Sequence, residues 1–451
     1  MVFVLYSIKP KKRSMKTHLI FSIGNKGVTQ YHYGRFIQFG KVAKLIQMVL
    51  YSPGRTSSYP DEPVKNGIRF HYLGGGNEVG NVGCIIEDSE GTRILLDYGL
   101  APTDPPRYPN EAPKVTDCII THSHIDHIGM APWLASHHAT NLHGTFLTGE
   151  IARPMWNDCY KVSRLEGYPL SWDKRDIDEA LDLWNSHNFN EYVTFNNWKW
   201  QLLPAGHIPG AAMVNIETPT HNILFTGDFD TRDSPLVNGA KPKECDILFI
   251  EGTYGGRAHP NKEEEKQRLL NRIVEVVDRK GTCLIPAFAN GRTQDILLML
   301  HQSGLNLDVH VDGMGKFLAK LYLEHPEYLR ESQELEAALK WAKKVSSKTD
   351  RKKALNADVI ITTSGMLDGG PSIWYLNRLK DDYRNAILLT GYQANGSGGR
   401  MLLDEGKIPI FGNKTQIDLE INQFTFSTHS GHEEMLQFAK SCKAKHVIVY
   451  H

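Results

Sequence analysis

The stretch CIITHSHIDHIG at 118–129 constrains this chain more than any other segment. A short apolar run reads as a buried strand, and this one ends in His122, His124, Asp126 and His127 within six residues. In an extended segment residues i and i+2 point to the same side, so His122 and His124 can reach one cation. The turn that follows can aim Asp126 and His127 at a second. Packing gives no reason to crowd four such side chains together, because imidazoles and carboxylates are costly to bury unless a cation organises them. The fold therefore has to bring further N or O ligands to this strand end.

Two candidates stand at the ends of later apolar strands, His207 in AGHIPGAA and Asp228 in FTGDFD, each beside small residues that permit close approach. Alone, neither says much: a strand-end Asp is more often a turn former, and a His beside Gly more often surface or core. Together with the first motif they complete a set. A tetrahedral site needs about four ligands, and a carboxylate such as Asp228 can bridge two ions.

The surrounding pattern is α/β. From Ile68, short apolar strands alternate with Gly-rich turns (IRFHYLGGG, NVGCIIED, RILLDYGL), and strands resume at WQLLPAGH, AAMVNIET and HNILFTGD. Between them lie helical stretches at 151–164 and 171–184, the second with Ser171 as its expected N-cap. From Gly252 to Arg400 strands and helices alternate as in a second, mostly parallel domain: helices at 262–279, 292–301 and within 317–344, strands at GTCLIPA, DVHVDG, DVIITTSG and NAILLTGY. The tail from 419 reads as strand, helix, strand and is expected to rejoin the first sheet. Residues 1–67 contain no acid before Asp61 and read as a poorly ordered appendage, with a weak GxxG match at Gly24-Asn25-Lys26-Gly27. Domain bounds of 1–67, 68–251, 252–400 and 401–451 follow.

Charge limits the partners. Lys plus Arg and Asp plus Glu are both 51, so no global field draws in a polyanion, and any attraction must be local. The Lys- and Arg-rich run at 340–353 reads mainly as a solvated helix and loop. The six cysteines stand singly, which fits a reducing, cytoplasmic setting better than a disulfide framework. No apolar run reaches the roughly 18 residues of a membrane span, so no membrane partner is expected.

In their order along the chain, HxHxDH, the Gly-flanked His207 and the strand-end Asp228 resemble the metallo-β-lactamase hydrolases. Asp97 in LLDYG matches that family's early strand-end Asp, which orients the metal site. The later part is similar to the β-CASP nucleases, the group that includes RNase J and the catalytic subunit of the eukaryotic mRNA 3′-end cleavage factor. Glu251 in FIEGTYG looks like that group's first acidic motif, His429 in FTFSTHSGH like its second motif and His451 in HVIVYH like its third. TTSGMLDGGP, Gly391-Tyr392-Gln393 and Gly291-Arg292 are similar to the inserted domain and its return. The likeness runs from Ile68 to His451, and GGGNEVGNVGC with HSHIDHIG looks closest to the archaeal 3′-end-processing branch.

The resemblance implies an αββα sandwich with an inserted parallel α/β β-CASP domain, and a two-zinc ribonuclease. His122, His124, His207 and Asp228 would hold one Zn²⁺; Asp126, His127, bridging Asp228 and His451 the other. His429, paired with Glu251, would protonate the leaving 3′-oxygen, giving 3′-hydroxyl and 5′-phosphate products. Single-stranded RNA would lie between the domains, with Arg292, Arg400 and the Ser364-Gly365 turn on its phosphates. Family members continue past the third-motif His with Gly-Glu, so a fragment, or a second metal held less firmly, is a further expectation, as is a homodimer through such a tail. The rival readings are a small-ester hydrolase, which would not need the insertion, a DNA nuclease, whose third motif usually offers Val, and a catalytically weakened scaffold.

Overall fold

The computed structural model describes residues 64–451 apart from 66, 104 and 411, together with the backbones of the strands Val2–Ser7, Thr17–Phe21 and Arg35–Gln38. The GxxG match at 24–27 and the rest of the first 63 residues lie outside these. Two compact units form: one from Met1–Arg232, Gly239–Arg257 and His429–His451, the other from Asp233–Asn238 and Ala258–Thr428.

The first unit is a sandwich of two sheets. One has six strands in the order Ile68–Gly74, Gly83–Asp88, Arg93–Leu96, Asp117–Ile119, Asn141–Thr145, Trp184–His187. The other runs Val193–Phe195, Trp198–Pro204, Ala212–Glu217, Asn222–Phe225, Ile247–Glu251, His446–Tyr450, and continues through Arg35–Gln38, Val2–Ser7 and Thr17–Phe21. Three stretches of the expected appendage are thus hydrogen-bonded strands, Arg35–Gln38 pairing antiparallel with His446–Tyr450.

Alternation along the strands builds the layers. In Gly83–Asp88, Cys84 and Ile86 face the inner core while Ile85 faces outward into a second apolar cluster. The inner core is aromatic-rich: the Phe70 and Phe249 rings meet edge to face at 5.1 Å, and Phe225 stacks on Tyr450 at 4.7 Å. Burying each such ring contributes about 2–3 kcal/mol. The helices Ala131–His138, Phe146–Glu166 and Lys174–Asp182 cover the outer face of the first sheet through Trp133, Trp156 and Ile177. The helix His432–Ser441 covers the second through Met435 and Phe438. This is an αββα arrangement.

Local sequence explains most element ends. Thr145 caps Phe146–Glu166 by accepting from the Thr148 amide, and Gly167 ends that helix at φ 75°. The next helix is capped by Asp173 in a box with Asp176, not by Ser171, because only Asp173 has the acid three residues on that closes the reciprocal pair. Trp184, expected at that helix's end, begins a strand instead.

The second unit carries a six-stranded sheet in the order Lys343–Lys344, Val309–Asp312, Val359–Thr362, Cys283–Pro286, Ala386–Leu389, Glu420–Gln423, with all pairings parallel. Pro326 splits the apolar stretch at 317–344 into the helices Gly315–Glu324 and Ser332–Trp341. The tail does not all return to the first unit. Glu420–Gln423 pairs with Ala386–Leu389 at the edge of the second unit's sheet, and only the helix His432–Ser441 and the strand His446–Tyr450 join the sandwich. Half-buried alternation such as that of LEINQF reads the same for either sheet. Among the described residues no helix is long and apolar enough to cross a membrane.

Candidate metal centre

Most candidate site residues sit where a sandwich strand ends. Asp97 follows Arg93–Leu96, His122 and His124 follow Asp117–Ile119, and His207 follows Trp198–Pro204. Asp228 follows Asn222–Phe225, Glu251 closes Ile247–Glu251, and His451 follows His446–Tyr450. The chain stays extended to His124, which then caps a single helical turn, Ile125–Ile128, carrying Asp126 and His127. Close backbone packing holds this turn: a Cβ on Gly99 would lie 1.8 Å from the Asp126 carbonyl oxygen. Gly206 takes φ 71°, where a Cβ would meet the Asp230 carbonyl at 2.2 Å, so only glycine lets His207 enter here.

The side chains form two groups around one carboxylate. In the first, His124 Nδ1 lies 3.1 Å from both His122 Nε2 and His207 Nε2, and Asp228 Oδ2 lies 3.7 and 3.8 Å from those same two nitrogens. In the second, Asp228 Oδ1 lies 3.3 Å from His127 Nε2 and 3.5 Å from His451 Nδ1, while His451 Nε2 is 3.6 Å from Asp126 Oδ2. Four ligands at about 2.0–2.1 Å from a tetrahedral zinc stand about 3.3–3.4 Å apart, and the distances of the first group bracket that edge. His127 Nε2, Asp228 Oδ1 and His451 Nε2 are buried with no hydrogen-bond partner. Leaving such atoms unsatisfied costs about 1–3 kcal/mol each, a cost that a cation between them removes. The donor set fits metal ions.

His122 and Asp228 carry charge states that suit the same occupancy, whereas His127 is held well above its ordinary value, against burial, by the Asp228 and Asp97 carboxylates. Burial, then the neighbouring His127, pushes the His122 pKa well below its ordinary value, so its imidazole is neutral and can ligate. Burial alone would raise Asp228, but His127, His451 and His429 outweigh it and hold the carboxyl well below the usual range. Asp97, fully buried, accepts from the Thr121 amide at 2.7 Å, the Thr121 hydroxyl at 2.9 Å and His127 Nδ1 at 2.8 Å. It thereby fixes the tautomer that turns His127 Nε2 toward Asp228. Asp97→Asn should weaken metal binding by about 10–100-fold, read by titration with a competing chelator; an unchanged affinity would show that Asp97 orients nothing.

His429 and Glu251 make a third group with Asp228. His429 Nδ1 is 2.8 Å from Glu251 Oε1 and 3.9 Å from Asp228 Oδ2. Burial would lower this imidazole, yet the Glu251 and Asp228 carboxylates hold its pKa up at about 9.

The four candidate RNA contacts lie in the second unit, after the carboxyl ends of three adjacent parallel strands. Arg292 opens the helix after Cys283–Pro286, Ser364 and Gly365 follow Val359–Thr362, and Arg400 lies in the helix Gly398–Glu405 after Ala386–Leu389. Crevices at such strand ends are where open α/β sheets bind ligands. Their charge is partly spoken for: Arg292 pairs with Asp295 at 3.3 Å, and Arg400 pairs with Asp404. The Ser364 amide donates to Ser372 Oγ at 3.1 Å, and the Gly365 carbonyl accepts from Gln393 Nε2 at 3.1 Å.

Sequence reasoning did not single out Thr121, Asp230, Arg232 or Ser430, which buttress the centre. Asp230 and Arg232 stand two and four residues past Asp228, and an acid and a base at that spacing were the available signal.

The metallo-beta-lactamase superfamily model matches residues 76–287, and the Beta-Casp domain model matches 293–402. A probable RNase MJ4 of Methanocaldococcus jannaschii is 34% identical over 395 residues, which cover 84% of this chain and 92% of that protein. RNase aCSPSF2 of Saccharolobus solfataricus is 33% identical over 82% of this chain and 76% of its own length. Cleavage and polyadenylation specificity factor 73 of Drosophila melanogaster is 27% identical over 87% of this chain and 60% of its own length. Among solved structures, a protein of unknown function from Enterococcus faecalis V583 has a TM-score of 0.50 at 15% identity, covering 81% of this chain and 89% of that one, a likeness of fold alone.

Proposed function

This chain belongs to the metallo-beta-lactamase superfamily and carries its Beta-Casp domain, and from that membership we propose that it is a two-zinc ribonuclease hydrolysing single-stranded RNA. The observation that carries the reading is that Asp228 turns Oδ2 to His122 and His207 and Oδ1 to His127 and His451, with the His429–Glu251 pair beside it. His122, His124, His207 and Asp228 would hold one zinc, and Asp126, His127, Asp228 and His451 the other. Bound there, the ions would supply charge against the phosphate oxygens and a water acidified to a pKa of about 7.

The chain's own groups do the rest. Asp97 holds the His127 ring, and Glu251 holds Nδ1 of His429, which leaves Nε2 to carry the proton for the departing 3′-oxygen. The products are a 3′-hydroxyl and a 5′-phosphate. Arg292, Ser364, Gly365 and Arg400 are proposed to contact RNA phosphates, a reading supported by their place at strand ends. The His451 geometry favours an active enzyme over a silent scaffold, since its imidazole stands within reach of both Asp126 and Asp228. Six unpaired thiols suit a reducing cytoplasm. A two-chain assembly follows only from the resemblance, and sedimentation mass decides it.

End-labelled single-stranded RNA incubated with the protein tests the reading. Cleavage should stop on chelation, return with zinc and leave 5′-phosphate ends. Cleavage that persists in chelator, or inert protein carrying two zinc ions, would overturn it.

A further inference from the structure

The loop after Asp228 does more than deliver that carboxylate. Asp230 is fully buried and holds Arg232 by a planar, two-pronged pair, with Nε to Oδ1 and Nη2 to Oδ2 both at 2.9 Å. The same Nη2 donates to the backbone carbonyl of His429 at 2.9 Å. Two further bonds stitch the segments together: the Ser430 amide donates to the Phe229 carbonyl at 2.8 Å, and the Thr231 amide donates to the buried Ser430 hydroxyl at 3.1 Å. The Phe229 amide meanwhile donates to Glu251 Oε1 at 3.1 Å, the oxygen that faces His429 Nδ1.

We propose that Asp230 and Arg232 form a clasp that positions His429 for proton donation by tying its backbone to the loop that carries Asp228. This rests on the reading of His429 as the proton donor. Residues 228–232 then set two things in one register: the carboxylate shared by the ligand groups and the main chain of the imidazole beside it. A guanidinium is suited to this because its fixed fork can serve a carboxylate with two donors while one of them also reaches a carbonyl. An ammonium cannot hold both in plane. Arg232 meets His429 at its backbone carbonyl and not at its ring, so it is a positioning residue whose loss should be felt at His429.

The test compares Arg232→Lys, Arg232→Ala and His429→Ala on single-stranded RNA and on bis(p-nitrophenyl) phosphate, whose leaving group departs as a stable anion without a proton. Arg232→Lys keeps a cation against the buried Asp230 and so guards against misfolding that Arg232→Ala risks. For Arg232→Lys, kcat on RNA should fall about ten-fold, with KM and zinc content unchanged and the nitrophenyl rate within about two-fold of the parent. Combined with His429→Ala it should add no further loss. An equal fall on both substrates, an unchanged RNA rate, or additive losses in the double variant would overturn the clasp. His429→Ala alone judges the reading beneath it: if that variant loses both rates equally, His429 is not the proton donor, whatever Arg232 does.

Discussion

Asp228→Asn should reduce RNA cleavage by at least about 10³-fold and deplete metal from both ligand groups at once. Its two oxygens divide the centre: Oδ2 faces His122 and His207, and Oδ1 faces His127 and His451. The amide has the same shape and lacks the charge, so it can neither balance two dications nor bridge them with both atoms. His124→Ala, by contrast, touches one group only and should leave the second partly filled. Elemental analysis of purified variants separates the two cases, and the stabilisation that added zinc confers on the parent should vanish in Asp228→Asn. An Asp228→Asn variant that keeps two ions and the parent rate would end the shared-carboxylate account.

The second large effect is expected at His429. Its replacement by Ala should lower kcat on RNA by about 10²–10⁴-fold while zinc content stays at the parent level, because in the proposed mechanism the ring serves the leaving oxygen and not the ions. The geometry points the same way. His429 approaches Asp228 no closer than 3.9 Å, whereas its bond to Glu251 is 2.8 Å. A bound cation would weaken the pull of Asp228 on this imidazole, yet the Glu251 pairing at 2.8 Å remains. If zinc leaves together with activity, His429 is a ligand and the proton must come from elsewhere.

The candidate centre was legible because metal ligands are chemically loud: four of them in six residues have no packing explanation, and His207 and Asp228 stand at strand ends where chain direction puts them on one rim. The fold class was legible from the change of rhythm after Gly252. What stayed silent were choices settled by distant partners. LEINQF alternates equally well for either sheet, and only the pairing of Glu420–Gln423 with Ala386–Leu389 assigns it. Trp184 looked helical until its strand met Asn141–Thr145, where Leu142 lies opposite it. Arg232 was not singled out because nothing local shows that a carbonyl 197 positions later will need its guanidinium.

The parallel pairing of Ile247–Glu251 with His446–Tyr450 sets the order in which the molecule can become competent. During synthesis, His122, His124, His207 and Asp228 have all left the ribosome while about two hundred residues of loop still separate Glu251 from its neighbouring strand, a closure whose entropic cost falls once the intervening unit has condensed. On the proposed reading, the nascent chain can therefore capture one cation early and stay inert until His446–Tyr450 pairs with Ile247–Glu251 and brings His451 to Asp126 and Asp228.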